Sequence, residues 1–139
     1  MALIDASGLV LGRIASVVAE RALKKESVVI VNAEKAVVTG NRNAVIKRFK
    51  KRIDLRAKGN PEKGPKFPRR ADMILRRTIR GMLPFKKPRG KEAFRRVSVF
   101  MGVPKEFRGK ETETVEEAKF SEKEAFVTLY ELSKALGGK

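Results

Sequence analysis

ALIDASGLVLGRIASVVAERALKKESVVIVN covers Ala2–Asn32, and the order of its patterns decides the fold. Ala2–Ala6 is a short apolar run of strand character. Ser7 and Gly8 then open a helix expected from about Leu11 to Lys25. Its apolar positions Leu11, Ile14, Ala15, Val18 and Ala22 recur at three- and four-residue spacing, on one face. Lys24 and Lys25 fall in its last turn, where positive charge suits the helix dipole. Ser27–Asn32 (SVVIVN) is β-branched and continuously apolar, the pattern of a strand buried on both faces. Strand, helix and strand in this order form a βαβ unit. The two strands should be parallel and the crossover right-handed.

Beyond this unit, Ala36–Thr39 is another strand candidate, ending at Gly40. Asn41 or Asn43 can cap a helix running to about Ala57. Its apolar stripe is thin (Ile46, Phe49, Ile53), and Lys47, Arg48, Lys50, Lys51, Arg52 and Arg56 occupy most of the rest. Lys58–Pro68 (KGNPEKGPKFP) carries Lys58, Lys63 and Lys66 among prolines and glycines. Neither a helix nor a central strand tolerates that pattern, so an extended loop that orders on binding is expected.

Arg69–Leu83 is expected to be a helix with two faces. At about 100° per residue, Arg69, Arg70, Arg76, Arg77 and Arg80 fall within a sector of roughly 120°. Ala71, Ile74, Leu75, Thr78 and Met82 lie opposite. Pro84–Lys91 (PFKKPRGK) reads as a second basic turn, with Lys86, Lys87, Arg89 and Lys91, followed by a helical turn at Glu92–Arg96. Val97–Met101 is a strand that Gly102 ends. Ser121 and Glu124 have capping-box spacing. They predict a last helix over about 122–136, with Phe126, Leu129, Leu132 and Leu136 inward and Gly137 and Gly138 as its stop.

At 139 residues the chain fits one domain. The expected fold is a three-layer α/β/α domain over 1–139, with a small, mostly parallel mixed sheet and basic helical and loop extensions. Charge is distributed unevenly along it. Lys47–Arg96 holds twenty Lys or Arg and four Asp or Glu, whereas the other 89 residues hold thirteen and twelve. The chain's net +17 is therefore concentrated in that segment, as in nucleic-acid-binding proteins. There is no Cys and no His. Disulfides, thiolate metal sites and Ser-His-Asp or Cys-His catalysis are excluded. No apolar run approaches the roughly 18 residues of a membrane span, and Met1–Val10 lacks the basic start of a signal peptide. A soluble intracellular protein is expected.

Phosphate recognition needs cations held outward on a fixed frame, and arginine adds a planar fork that grips phosphate with two bonds. The two basic helices supply such a frame and the two basic loops supply reach. Arg13, at the start of the first helix, is a further contact or a surface ion pair. Phe67 and Phe85 could stack on an unpaired base or anchor their loops on the core, the second being the better reading. Gly8–Gly12 (GLVLG) lacks the spacing of a dinucleotide loop. Asp5, Glu34 and Asp72 would have to converge to serve a metal-dependent nuclease; otherwise each makes a local cap or ion pair. DNA compaction and membrane-surface binding could use the same basic belt. A helix-turn-helix fits poorly, because a long Pro/Gly loop separates the basic helices.

Six short motifs occur in order: Asp5-Ala6, Leu11-Gly12-Arg13, Val31–Lys35 (VNAEK), Thr39–Asn41 (TGN), Arg80–Pro84 (RGMLP) and Val99–Pro104 (VFMGVP). In that order the chain resembles the universal large-subunit ribosomal protein thirteen family, from about Ala2 to Pro104. Arg80–Pro84 followed by Gly90 is the most specific block. Val103-Pro104 stands where bacterial relatives carry a His soon after the matching glycine, which resembles the archaeal branch. The resemblance implies a three-layer α/β domain that binds large-subunit ribosomal RNA as a structural and assembly component. It implies neighbouring large-subunit ribosomal proteins as partners and a cytoplasmic place in the subunit. It implies no catalytic residue, cofactor, metal, membrane or small-molecule substrate.

Overall fold

A computed structural model of the chain describes residues 2–54, 68–120 and 125–137. Arg56, Lys58, Lys63, Lys66, Phe67 and the Ser121/Glu124 box lie outside the described residues. The βαβ unit forms as its pattern requires. Strand β1 (Ala2–Asp5), helix α1 (Leu11–Leu23) and strand β2 (Val28–Val31) follow one another, and β1 pairs parallel to β2 in the register Ala2↔Val28. Strand β4 (Val97–Val99) adds parallel to the other side of β2, giving the order β1-β2-β4. β2 is the central strand and is buried throughout, which explains its unbroken Val/Ile run.

Alternation along the strands divides the core in two. Ile4, Val28, Ile30 and Val97 face a large cluster with Ile14 and Val18 of α1. Leu75 and Ile79 of helix α3 (Ala71–Gly81) complete it, with Ala93 of helix α4 (Pro88–Arg95). Leu3, Val29 and Val31 point the other way, onto Phe107 and Val103. That third layer is thin, built on a 3-10 turn at Lys105–Phe107. Burying each of these large aliphatic side chains contributes about 1.5–3 kcal/mol.

Strand β3 (Val37–Thr39) leaves the parallel sheet and pairs antiparallel with β5 (Phe126–Thr128). This corrects the expected helix over about 122–136. Its described part is the strand β5 followed by a shorter helix, α5 (Leu129–Ala135), capped by the Thr128 hydroxyl accepting from Glu131 N at 3.2 Å. Phe126 is exposed, whereas Leu129, Leu132 and Leu136 are buried. Helix α2 (Arg42–Asp54) follows Asn41, whose Oδ1 accepts from Asn43 N at 2.9 Å. The Pro84–Lys91 turn needs a second correction: its latter half is the first turn of α4, with Pro88 at the opening position.

Residues of the ordered sequence motifs hold the carboxyl edge of the sheet. Asp5 Oδ1 accepts from Ser7 N at 2.9 Å and from Asn32 Nδ2 at 3.2 Å, tying the ends of β1 and β2. Glu34 Oε2 accepts from Gly102 N at 2.9 Å, tying in the end of β4. Glu113 pairs its backbone with Leu3 and Asp5 and its carboxylate with Arg21 at 3.0 Å. Part of the acidic Glu111–Glu117 stretch thus closes the free edge of β1.

Candidate nucleic-acid interface

Three basic elements gather around α3. On α2, Ile46, Phe49 and Ile53 turn toward the core, and Lys47, Arg48, Lys50, Lys51 and Arg52 are exposed. The Arg48 and Arg52 guanidinium carbons lie 5.8 and 5.2 Å from the Phe49 ring centre. A narrow groove joins α2 to α3, lined by Phe49, Arg52, Ile53, Pro68, Ile74, Arg77 and Thr78. The structure therefore brings the two basic helices together, as the paired-frame reading requires.

The arginine face of α3 is less uniform than its helical wheel. Arg69 and Arg70 precede the helix, both exposed, and Arg70 pairs with Asp72 at 3.2 Å. Arg77 is exposed. Arg76 and Arg80 are half-buried, and each lies on an aromatic ring. The Arg76 guanidinium sits 4.6 Å from the Phe94 ring centre and that of Arg80 sits 4.2 Å from Phe85. The two rings meet edge to face at 5.6 Å. Phe85 thus anchors its turn, the better of its two sequence readings.

Gly90 is what lets that turn close. A Cβ there would come within 2.0 Å of the Pro84 carbonyl oxygen. The pairing of RGMLP with Gly90 is thereby explained: the turn lies directly on the backbone of α4. Lys86, Lys87, Arg89 and Lys91 are exposed around the start of α4, whose first turn holds no acidic residue. Cations there oppose the helix dipole, an arrangement that an anion relieves.

Two open hollows result. One, of about 440 Å³, is lined by Pro68, Met73, Arg76, Arg77, Arg80, Phe85 and Phe94. The other, of about 560 Å³, is lined by Arg77, Arg80, Gly81, Leu83, Pro84, Phe85, Lys86 and Lys87. They share Arg77, Arg80 and Phe85. Phe94 and Met73 were missed by sequence reasoning, because nothing in their spacing shows that α4 and the far side of α3 meet. Arg13 is exposed on α1, a separate element. Arg96 serves the framework, donating to Ala22 O at 2.9 Å.

The carboxylates and the glycine loop singled out in the sequence serve the framework. Asp72 is engaged locally, with Arg70 and with Met73 N, whereas Glu34 binds the distant Gly102 N and Asp5 binds both Ser7 N and the distant Asn32. Among the described residues no group of three or more acidic side chains is placed to hold a metal. In GLVLG, Leu9 and Leu11 are buried, and the N–H groups of Gly8, Leu9 and Val10 donate to Lys35, Ala6 and Ala118 carbonyls. Those three donors are therefore not available to a pyrophosphate. Among the described residues no helix is long and apolar enough to cross a membrane.

A family model described as Ribosomal protein L13 matches residues 1–106. The chain is 51% identical over 137 residues to the large ribosomal subunit protein uL13 of Archaeoglobus fulgidus, covering 96% of this chain and 86% of that one. It is 52% identical to the protein of the same name from Methanocaldococcus jannaschii, covering 100% and 99%. With that of Methanosphaera stadtmanae the identity is 44%, over 99% and 97%. By these matches the chain belongs to the ribosomal protein L13 family, on its archaeal-like side.

Proposed function

We propose that this chain is a structural constituent of the large ribosomal subunit, which binds large-subunit ribosomal RNA in the cytoplasm and supports subunit assembly without catalysing a reaction. The observation that carries this reading is the exposed cation belt of α2, α3 and the start of α4 on a nearly neutral frame. Such a belt bridges phosphates where RNA helices approach one another, and binding is driven by counterion release. A-form major grooves are too narrow for side chains to read, so RNA shape sets the register. Lys47, Arg48, Lys50, Lys51 and Arg52 form one arm of the contact. Arg69, Arg70, Arg76, Arg77 and Arg80 form the second, and Lys86, Lys87, Arg89 and Lys91 the third. Arg13, and Arg56, Lys58, Lys63 and Lys66 by sequence, extend it. Neighbouring large-subunit ribosomal proteins are the remaining partners.

Sedimentation of extract at moderate salt, with the protein tracked by mass spectrometry, tests the proposal. Stoichiometric migration with the large subunit, resistant to a moderate salt wash, is expected. Migration with DNA, with membranes or alone would overturn it.

A further inference from the structure

We propose that the two hollows beside α3 form a receptor for a single unpaired nucleotide, the base entering the Phe85/Phe94 groove and its flanking phosphates lying in the lysine-lined one. This rests on the RNA-binding reading and deepens it. Phosphate bridging alone needs only cations on a surface. The first hollow offers something else: Met73, Phe85 and Phe94 beside Arg76 and Arg80. Its volume of about 440 Å³ suits a small planar group. Unstacked bases are held against aromatic rings or guanidinium planes, and here both are present. The Arg76 and Arg80 guanidinium carbons already lie 4.6 and 4.2 Å from the Phe94 and Phe85 ring centres. Each ring holds its guanidinium as a fixed plane on which a base can stack.

Two further observations point the same way. Arg76 Nε is buried, and among the described residues no acceptor reaches it. A buried donor without a partner is costly, so this arginine is held in place by its ring and its packing and not by a hydrogen bond at Nε. The second hollow shares Arg77, Arg80 and Phe85 with the first and adds Lys86 and Lys87. An apolar, ring-lined groove opening onto a cationic one matches the amphiphilic plan of a nucleotide. An uncharged polypeptide segment would fill the first hollow but give the adjoining cations nothing to neutralise.

The test uses the full chain and two RNA hairpins of the same stem, one with a single bulged 2-aminopurine and one without. The wild type should bind the bulged hairpin about tenfold more tightly, the worth of one stacked base, and should change the fluorescence of its 2-aminopurine. Phe85→Leu keeps the apolar volume and removes the ring. Arg76→Lys keeps the charge and removes the plane. Each should abolish the preference, read as the ratio of the two affinities; Phe85→Leu, which alters no cation, should also leave affinity for the plain hairpin within about twofold. If Phe85→Leu fails to fold, Arg76→Lys carries the test alone. No preference in the wild type, or a preference that survives the substitutions, overturns the receptor while leaving RNA binding intact. Failure of the wild type to bind either hairpin overturns both this inference and the reading beneath it.

Discussion

Replacing Lys47, Lys50 and Lys51 together by Gln isolates the electrostatic part of RNA binding. All three are exposed on α2 and line one open hollow with Asn43 and Ile46. None takes part in an ion pair among the described residues. If each neutralises one phosphate of an RNA helix, each releases about 0.9 counterion, and the log–log salt slope should become shallower by roughly 2.7. With the wild-type and variant lines meeting near 1 M salt, the loss of affinity is about 500-fold at 0.1 M and roughly 25-fold at 0.3 M. Stability should change by less than about 0.5 kcal/mol, as at other exposed sites. The assay is fluorescence anisotropy with large-subunit RNA across a potassium chloride series, with thermal unfolding as the folding control. Lys24→Gln is the matched surface control: Lys24 is exposed and pairs with Glu20 at 3.3 Å, so the slope should hold. Parallel lines for wild type and triple variant would refute the reasoning, because α2 would then bear on something other than phosphate.

The framework makes three further predictions. Gly90→Ala would press a methyl group against Pro84 O at 2.0 Å and Pro84 C at 2.3 Å, both backbone atoms; a cost of about 1–3 kcal/mol should lower the calorimetric melting temperature by several degrees, and an unchanged melting temperature would count against the close approach. For Asp5, burial pushes the carboxyl upward, but hydrogen bonds from Ser7 and Asn32 and the charge of Lys35 outweigh it and hold the group below its ordinary value. A lowered folded-state value stabilises the fold above the unfolded value of 3.8 and is lost as pH falls through the folded one; Asp5→Asn should flatten denaturant stability in that acid range, and an unaltered acid limb would reject the assignment. Ser133 is 3% exposed and its Oγ lacks a partner among the described residues; Ser133→Ala should leave stability unchanged or raise it by up to about 1 kcal/mol, and a clear loss in urea titration would reveal an acceptor.

The βαβ unit was legible because its two periodicities are clean. Every helical position read as inward, Leu11 through Ala22, is buried, and so is all of β2. The C-terminal region was misread for an instructive reason. Phe126, Leu129, Leu132 and Leu136 fit a helical stripe, yet Phe126 belongs to a strand. What decides the matter is β3. Val37–Thr39 lies outside the parallel sheet and its backbone groups need a partner, which Phe126–Thr128 supplies. Such pairing links residues far apart in sequence, and local spacing carries no trace of it. One local signal was available: Thr128 and Glu131 also have the separation of a capping pair, and Thr128 is the cap that forms. Likewise Pro88 reads as a breaker in isolation, but it opens α4, where its missing N–H costs nothing.

The site shows a sharper limit, and it bears on mechanism. A helical wheel gives the direction in which each arginine leaves α3, but not what the side chain then lies on. Arg70, Arg76, Arg77 and Arg80 share a sector, yet Arg70 meets Asp72 while Arg76 and Arg80 fold onto Phe94 and Phe85. Those rings come from the turn after α3 and from α4, and they are brought there by a glycine whose role is purely steric. Side-chain ordering is among the costs of association, and a guanidinium already seated on a ring has less freedom to lose than a free lysine. The belt therefore divides by physics. The lysines of α2 contribute charge that salt can screen, whereas the ring-backed arginines of α3 contribute position as well. Salt should weaken the charge contribution of both sets, whereas the positional contribution of the ring-backed arginines should persist.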